Sequence, residues 1–247
     1  MNRLVVALGV VVSLISLQAT AEAQIELQDR GAIRPSVDSP ERFALELRVG
    51  PYTPDDGRGA FDAVFDDLGP LLAFEFDINA YRLKNVGMIG VGLSFGWVNY
   101  SGNAFSQGGT VRSSEDTDLT LFPLSALAVV RIDVLPRLLN IPIVFAGKLG
   151  PDFVIWTSST GENDFGGVSV GLRWGAQVAL ELDFFDRRAA RALDEEWGIN
   201  HTFVFFEIFG SVFGDVEPRV EGSTDTTSLP LGPENGWAWT AGLGFIL

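Results

Sequence analysis

Residues 168–184 read VSVGLRWGAQVALELDF, and an apolar side chain returns at every second position of this stretch. The apolar set is Val168, Val170, Leu172, Trp174, Ala176, Val178, Leu180, Leu182 and Phe184. The alternate set is small or polar: Ser169, Gly171, Arg173, Gly175, Gln177, Ala179, Glu181 and Asp183. Side chains two positions apart share one face of a β-strand, whereas a helical period of about 3.6 residues would mix the two sets. The stretch is therefore predicted to form a strand.

The same alternation recurs along the chain. It is found at residues 43–50, 72–81, 89–98, 143–156 and 237–247, and it is less regular at 118–133. Residues 201–213 form one further segment, which is rich in phenylalanine and contains Glu207. In the segment 72–81, the alternation predicts that Tyr81 lies on the polar face with Glu75 and Asp77. Together with residues 168–184, these segments predict eight strands.

The small and polar face decides how the strands are arranged. It consists mostly of Gly, Ala and Ser with a few charges, which makes a poor water-facing surface. Such a face suits the lining of a narrow eight-stranded barrel, whose interior only just holds side chains. The bulky apolar face would then meet lipid. The sequence therefore predicts an all-β fold, an eight-stranded antiparallel up-and-down transmembrane β-barrel with long extracellular loops and one short periplasmic helix.

The links between segments alternate in length. Long polar links at 53–70, 101–117, 157–166 and 214–235 are predicted to face the outside, and short links at 83–87 and 134–142 the periplasm. The exception is 186–200, which reads as a helix capped by Asp186 and ended by Gly198. Its arginines come early and its acids late, against the helix dipole. These arginines could lie near phosphates of the inner leaflet, or the helix could simply be solvated.

Aromatic residues cluster where the predicted strands end. Tyr52, Trp97, Tyr100, Trp156 and Trp237 fall next to the long links, and Tyr81, Phe184, Phe185 and Phe245 fall at the opposite ends. Transmembrane barrels ring both membrane interfaces with aromatic side chains. The placement predicts two such girdles.

The N-terminus has the pattern of a secretory signal peptide. Arg3 precedes an apolar run at 4–17, and the Ala21-Glu22-Ala23 triplet offers a cleavage site. We therefore predict a signal peptide at 1–23, a periplasmic N-terminal segment at 24–42 and the barrel at 43–247.

The chain has no Cys, which excludes disulfides and a lipid anchor on an N-terminal Cys. Its net charge of −15 argues against nucleic acid or anionic membrane surfaces as partners.

Residues that could carry chemistry are few. The single histidine, His201, is predicted to be a hydrogen-bonded residue that closes the turn between helix and strand. The pairs Glu75/Asp77 and Glu181/Asp183 should share the barrel interior with Arg48, Lys148 and Arg173. Unpaired ions there would be costly, so a salt-bridged plug is favoured over acid–base catalysis. The acidic outer loops show no regular ligand spacing for calcium. No catalytic, cofactor-binding or metal site is therefore predicted.

Two stretches resemble known sequences. TAGLGFIL at 240–247 resembles the C-terminal signature that the barrel-assembly machinery reads in outer-membrane proteins, with Leu247 in place of the usual Phe or Trp. RFALELRVGPYTP at 42–54, LFPLS at 121–125, DRRAAR at 186–191, NHT at 200–202 and FFE at 205–207 resemble an uncharacterised family of outer-membrane β-barrel proteins from myxobacteria and relatives. This resemblance implies the location and the architecture, and it implies no activity.

The expected function follows from these features. We expect a non-enzymatic protein of the Gram-negative outer membrane, with a structural or surface-interaction role and a closed, salt-bridged lumen. The expected partners are the lipid bilayer, lipopolysaccharide and, during biogenesis, the barrel-assembly machinery, and no cofactor is expected. Two other classes stay open: a small channel or transport protein, which needs an aqueous path past the lumen charges, and a lipid-modifying barrel enzyme. The sequence names no ligand.

Overall fold

The computed structural model describes residues 41–54, 61, 64–65, 69–105, 112–160, 163–213 and 231–247. The predicted signal peptide at 1–23 and all but the last two residues of the segment 24–42 lie outside these residues. Eight strands form one sheet that closes into a barrel. They are β1 (Phe43–Tyr52), β2 (Gly69–Leu83), β3 (Gly87–Phe105), β4 (Arg112–Ile132), β5 (Ile143–Thr160), β6 (Asn163–Glu181), β7 (His201–Phe213) and β8 (Ala238–Ile246).

Every strand pairs with its neighbours in sequence, and all pairs are antiparallel. The barrel closes between β1 and β8, where Leu47 lies opposite Leu243. At this seam, Leu247 donates from its backbone N–H to the Phe43 carbonyl at 2.9 Å, and the Arg42 N–H donates to the Leu247 carbonyl at 2.6 Å. The predicted eight-stranded antiparallel up-and-down barrel is confirmed.

The two faces of the sheet have opposite chemistry. Leu47 is 53% exposed on the outside, while its neighbours Glu46 and Arg48 are buried in the interior. The same alternation holds on β6, where Leu172 and Trp174 are exposed and Arg173 is buried. A water-soluble barrel has its apolar residues inside, so this polarity is that of a barrel surrounded by lipid. No helix among the described residues has the length and apolarity needed to cross a membrane.

Two of the predicted long loops are largely strand. The structure continues β3 to Phe105 and begins β4 at Arg112, and it leaves only residues 161–162 between β5 and β6. Polar side chains support the extension of the first hairpin, where Ser101 donates to Asp118 at 2.6 Å and Thr120 to Asn99 at 2.6 Å. The prediction of loops at 101–117 and 157–166 was wrong in this respect, because backbone pairing continues without an apolar face.

Tyr81 lies off the polar face that the alternation predicted for it, but on the outer surface, as the aromatic girdle predicted. The register of β2 against β3 shifts between Asn79 and Tyr81, so that Tyr81 pairs with the outward-facing Ile89. A β-bulge of this kind adds one residue and reverses the alternation beyond it. Tyr81 is therefore 64% exposed on the outer surface and does not share the polar face of Glu75 and Asp77.

Two helices connect strands at the end of the barrel opposite the long links. The predicted helix is present as α2 (Arg187–Trp197). The Asp186 carboxylate accepts from the N–H groups of Arg188 and Ala189, both at 3.0 Å, and Gly198 ends the helix at φ +68°. A shorter helix, α1 (Val134–Leu139), replaces the predicted simple turn at 134–142, and Asn140 ends it in the left-handed conformation. A 3-10 turn, Glu234–Gly236, precedes β8.

Candidate functional site: the charged interior of the barrel

The interior of the barrel consists of three layers of side chains. At the long-link end lies an upper apolar layer: Tyr52, Phe61, Leu71, Val98, Tyr100, Leu119, Leu121, Val154, Phe209, Leu231 and Ala238. At the helix end lies a lower apolar layer: Ala44, Met88, Ala179, Phe203, Phe205 and Ile246. Between them, the charged layer contains Glu46, Arg48, Glu75, Asp77, Arg131, Lys148, Arg173 and Glu207, all buried. Its four carboxylates and four cations cancel in formal charge.

Lys148 of β5 lies at the centre of the charged layer. Its Nζ is 2.7 Å from Glu46, 2.6 Å from Glu75 and 3.1 Å from Glu207. These three carboxylates come from β1, β2 and β7, so one ammonium group links four strands across the barrel. The ammonium group donates hydrogen bonds to Glu46 and Glu75, and its contact with Glu207 is an ion pair.

Two arginines extend the network on either side of Lys148. Arg48 pairs with its neighbour Glu46, and also lies 3.0 Å from Glu75 and 3.2 Å from Glu207. Arg131 of β4 pairs with Glu46 at 2.7 Å and with Asp77 at 2.5 Å. Several carboxylates are therefore shared between cations. Multiple charge-assisted contacts of this kind reduce the cost of removing the ions from water.

The edge of the charged layer joins the upper apolar layer. Arg173 lies 3.4 Å from Glu207, and its guanidinium stacks over the Phe209 ring at 4.1 Å from the ring centre. Such cation–π stacking allows a charged group to border an apolar layer. Asp152 lies at the same level and accepts from Ser125 at 2.6 Å and from Ser211 at 2.5 Å. This level is therefore also internally hydrogen-bonded.

Small residues make the room that the large interior side chains need. A Cβ atom at Gly92 would lie 2.1 Å from Oδ1 of Asp77, so only glycine allows this carboxylate to reach Arg131. On β8, a Cβ atom at Gly244 would lie 2.2 Å from the Phe203 ring. The glycines of the lumen face thus complement large residues on neighbouring strands, rather than simply lining a narrow channel.

Three of the buried carboxylates lie close enough together to share a metal ion. They are Glu46, Glu75 and Asp77, whose ligating oxygens all lie within 4.8 Å of one another. Lys148 contacts two of them, and Arg131 contacts Asp77 and Glu46. The protein's own cations therefore already neutralise this group of carboxylates.

The structure brings together most of the charged residues that the sequence places in the lumen. Arg48, Glu75, Asp77, Lys148 and Arg173 all belong to the charged layer. The predicted partners Glu181 and Asp183 do not. Glu181 borders a cleft at the helix end together with Arg131 and Gln177, while β6 ends at Glu181 and places Asp183 in the following turn.

Three central residues were not assigned to the plug from the sequence. Glu46, Arg131 and Glu207 each contact at least one oppositely charged group of the layer. The signal for Glu46 and Glu207 was their position in the alternation of β1 and β7. Arg131 was harder to find because β4 carries apolar residues on both faces, with Val129 buried and Val130 exposed. The periodicity of β4 is therefore weak in the sequence.

Three aromatic residues predicted for the outer girdle are found inside the barrel. Tyr52 and Tyr100 are only 4% and 2% exposed, and Trp156 packs partly buried against the same upper layer. The Tyr52 hydroxyl donates to the Leu231 carbonyl at 2.6 Å, and the Tyr100 hydroxyl donates to the Tyr52 carbonyl. All three stand at positions of their strands whose side chains point inward. The two hydrogen bonds satisfy the hydroxyl groups of Tyr52 and Tyr100 inside the barrel. Trp97 and Trp237 do lie on the outer surface.

His201 lies at the helix end of β7, as predicted. Its Nδ1 is 2.7 Å from a carboxylate oxygen of Asp183, and its Nε2 is 3.9 Å from Glu41. The other oxygen of Asp183 accepts from the Thr202 N–H at 3.2 Å. The histidine thus joins the turn after β6 to the start of β7, which is the structural role expected from the sequence.

Comparison with solved structures finds several chains of low identity. Ail of Yersinia pestis, solved with the heparin analogue sucrose octasulfate, is 12% identical with a TM-score of 0.42, over 83% of this chain and 97% of that chain. The N-terminal barrel domain of Pseudomonas aeruginosa OprF is 12% identical, with a TM-score of 0.39 and the same coverage. The translocator domain of Neisseria meningitidis NalP is 11% identical with a TM-score of 0.37, over 94% and 98%. Neither a family model nor a curated protein matches the chain.

Proposed function

We propose that this protein is an integral barrel of the bacterial outer membrane. The apolar outer surface supports this location, because side chains such as Leu93, Leu149 and Leu172 are more than half exposed on it. In water such a surface would drive aggregation, whereas in a bilayer it is the expected outer face of a barrel. The proposed signal peptide and the C-terminal signature at 240–247 fit export and insertion by the barrel-assembly machinery. The family resemblance is part of the same proposal.

The role that we propose is structural or surface-interacting, without catalysis and without solute transport. The observation that carries this proposal is the charged layer, in which Lys148 fills the barrel axis between Glu46, Glu75 and Glu207. The two apolar layers stack above and below it. An ion that crossed this interior would have to break several buried ion pairs and displace packed side chains, which is energetically costly.

The surface that remains for interaction is the long-link end. Strands β3 to β6 extend there as hairpins with polar pairs such as Ser101–Asp118. We propose that this end contacts lipopolysaccharide or another surface component.

Conductance in planar bilayers tests the proposed closed lumen. The purified, folded protein should give no ion-conducting steps when a large-pore porin in the same bilayer does. As a matched pair, Leu172→Ala on the outer face should also stay silent, whereas Lys148→Ala with Glu207→Ala should introduce transient currents by opening the charged layer without changing its net charge. Sustained openings of the unmodified protein would contradict the closed lumen and favour the channel alternative.

A further inference from the structure

Four exposed residues, two aromatic and two positively charged, lie close together in the sequence at the helix end of the barrel. We call this group the periplasmic patch and define it as Phe184, Phe185, Arg188 and Arg191. Phe185 is 68% exposed, and its ring contacts that of Phe184 edge to face at 5.7 Å between centres. Both arginines are exposed. Aromatic rings together with basic side chains are the composition of protein segments that lie at a membrane interface.

The two phenylalanines are held in place by the barrel. They lie in a turn that follows β6, and the Leu182 N–H donates to the Thr202 carbonyl at 2.8 Å. Within the turn, the Phe185 N–H donates to the Leu182 carbonyl at 3.0 Å. Asp183 adds its contacts to His201 and Thr202. The rings are therefore presented outward by a fixed turn, and their exposure does not come from a loose loop.

The arginines are held on a helix that orients them unfavourably for its own stability. Arg188 and Arg191 lie in the first half of α2, whose first turn contains no acid and whose last turn contains no base. Cations near a helix N-terminus are destabilised by the helix dipole. Within the described part of the chain, neither side chain has a carboxylate at ion-pair distance. The described carboxylates therefore do not neutralise the charges of Arg188 and Arg191.

We infer that the periplasmic patch docks on the phospholipid leaflet at the helix end of the barrel. In this arrangement the rings of Phe184 and Phe185 enter the interfacial region, and Arg188 and Arg191 contact anionic lipid phosphates. The inference rests on the proposed membrane location. The chain as a whole is acidic, but the first half of α2 is locally cationic, and the acids Asp194, Glu195 and Glu196 lie in its second half. Repulsion should keep that half away from the same surface.

The chain has no cysteine, so a single label can be placed on each half of α2. Ala189→Cys lies next to Arg188 and leaves the patch intact, and Glu196→Cys in the acidic half is the matched control. Each variant is labelled with an environment-sensitive nitrobenzoxadiazole dye and folded into dilauroyl phosphatidylcholine vesicles, with or without dilauroyl phosphatidylglycerol. Quenching by headgroup-level spin-labelled lipid reports docking, and a gel shift between unboiled and boiled samples reports insertion.

The dye at position 189 should be quenched and blue-shifted, more strongly with phosphatidylglycerol, while the dye at 196 should stay in water. One cationic side chain near an anionic surface changes an equilibrium about fivefold. Replacing both Arg188 and Arg191 by Gln should therefore lower the ratio of docked to undocked probe by roughly 25-fold at low salt. Phe184→Ser with Phe185→Ser should reduce quenching in both lipid mixtures.

Three results would overturn the inference while the samples still show the gel shift of an inserted barrel. They are equal quenching at 189 and 196, no effect of phosphatidylglycerol, and no effect of the arginine replacements. In each case the proposed membrane barrel would stand and the lipid-docking patch would be wrong. If the gel shift itself is absent, the proposed function fails first, and the patch fails with it.

Discussion

At the scale of single residues, the interior depends on a few shared charges. Lys148 contacts three carboxylates from three different strands, and each of those carboxylates also contacts at least one arginine. A network of this kind contributes modestly to stability as a whole, because its gain offsets a large desolvation cost. Loss of one member is different, since it leaves its partners buried and uncompensated.

Replacing Lys148 by Met should therefore destabilise the folded barrel strongly. The side chain is of similar length, but Glu46, Glu75 and Glu207 would lose a shared cation, at a cost of about 3–5 kcal/mol. The free energy of unfolding is measured by reversible urea titration in lipid vesicles. Arg82→Gln is the control, because Arg82 pairs with Glu41 and Asp133 at the partly exposed rim, where an ion pair contributes only about 0–1 kcal/mol. Equal effects of the two changes would show that the interior is hydrated rather than sealed.

At the scale of elements, each strand separates two environments, the lipid outside and the packed interior. Whether a residue stands at an odd or an even position along the strand decides which of the two its side chain enters. On β6, Leu172 is 51% exposed on the outer face, while Gln177 is buried and donates to Glu46 at 3.2 Å. The long hairpins show the complementary case. Beyond the apolar band, β3 and β4 continue to pair through Ser101 and Asp118 without either face being apolar.

The two faces of β6 should respond differently to the same new charge. Leu172→Arg places a cation in lipid, which costs about 2–4 kcal/mol near the midplane of the membrane and less toward the interface. Gln177→Arg should cost less, because Glu46 and Glu181 lie beside it, although crowding reduces the difference. The measurement is again reversible unfolding in vesicles. A neutral Leu172→Arg combined with a severe Gln177→Arg would mean that the outer face does not meet lipid.

At the scale of the whole molecule, closure of the sheet is the dominant feature. Strand β1 pairs with β8 as well as with β2, so no described strand has a free edge. In a bilayer, where backbone groups have no water to bind, a closed barrel is the arrangement that satisfies all strand hydrogen bonds. Closure also makes opening a cooperative event that involves every strand.

Unboiled protein in dodecyl sulfate should therefore migrate differently from boiled protein on a gel. Identical migration of the two samples, with solubility in the absence of detergent, would contradict the membrane barrel.

In intact cells, Gly161→Cys between β5 and β6 should react with an impermeant maleimide, while Ala190→Cys on α2 should not. Outer-membrane fractionation of the same cells is the control for location. Labelling at position 190 but not at position 161 would mean that the proposed topology is inverted.

The sequence by itself determined the strand number, the antiparallel order and the face of most residues. These properties follow from local periodicity, because alternation along β1, β3, β5, β6 and β8 needs no knowledge of the partner strand. The caps of α2 were equally local, since Asp186 and Gly198 act within one turn of the helix. The prediction that opposite charges share the interior followed from the same parity together with the cost of burying an unpaired ion.

Only the tertiary structure decided which charges meet and what satisfies the hydroxyls of the inward-facing tyrosines. The contacts of Lys148 with Glu46, Glu75 and Glu207 depend on how far neighbouring strands are staggered around the barrel, and no single segment contains that information. The bulge that turns Tyr81 outward arises from the pairing of β2 with β3. Tyr52 needed the Leu231 carbonyl, which is far away in the chain, to satisfy its hydroxyl inside. In each case the deciding contact is with a residue outside the strand concerned, and alternation along that strand carries no information about it.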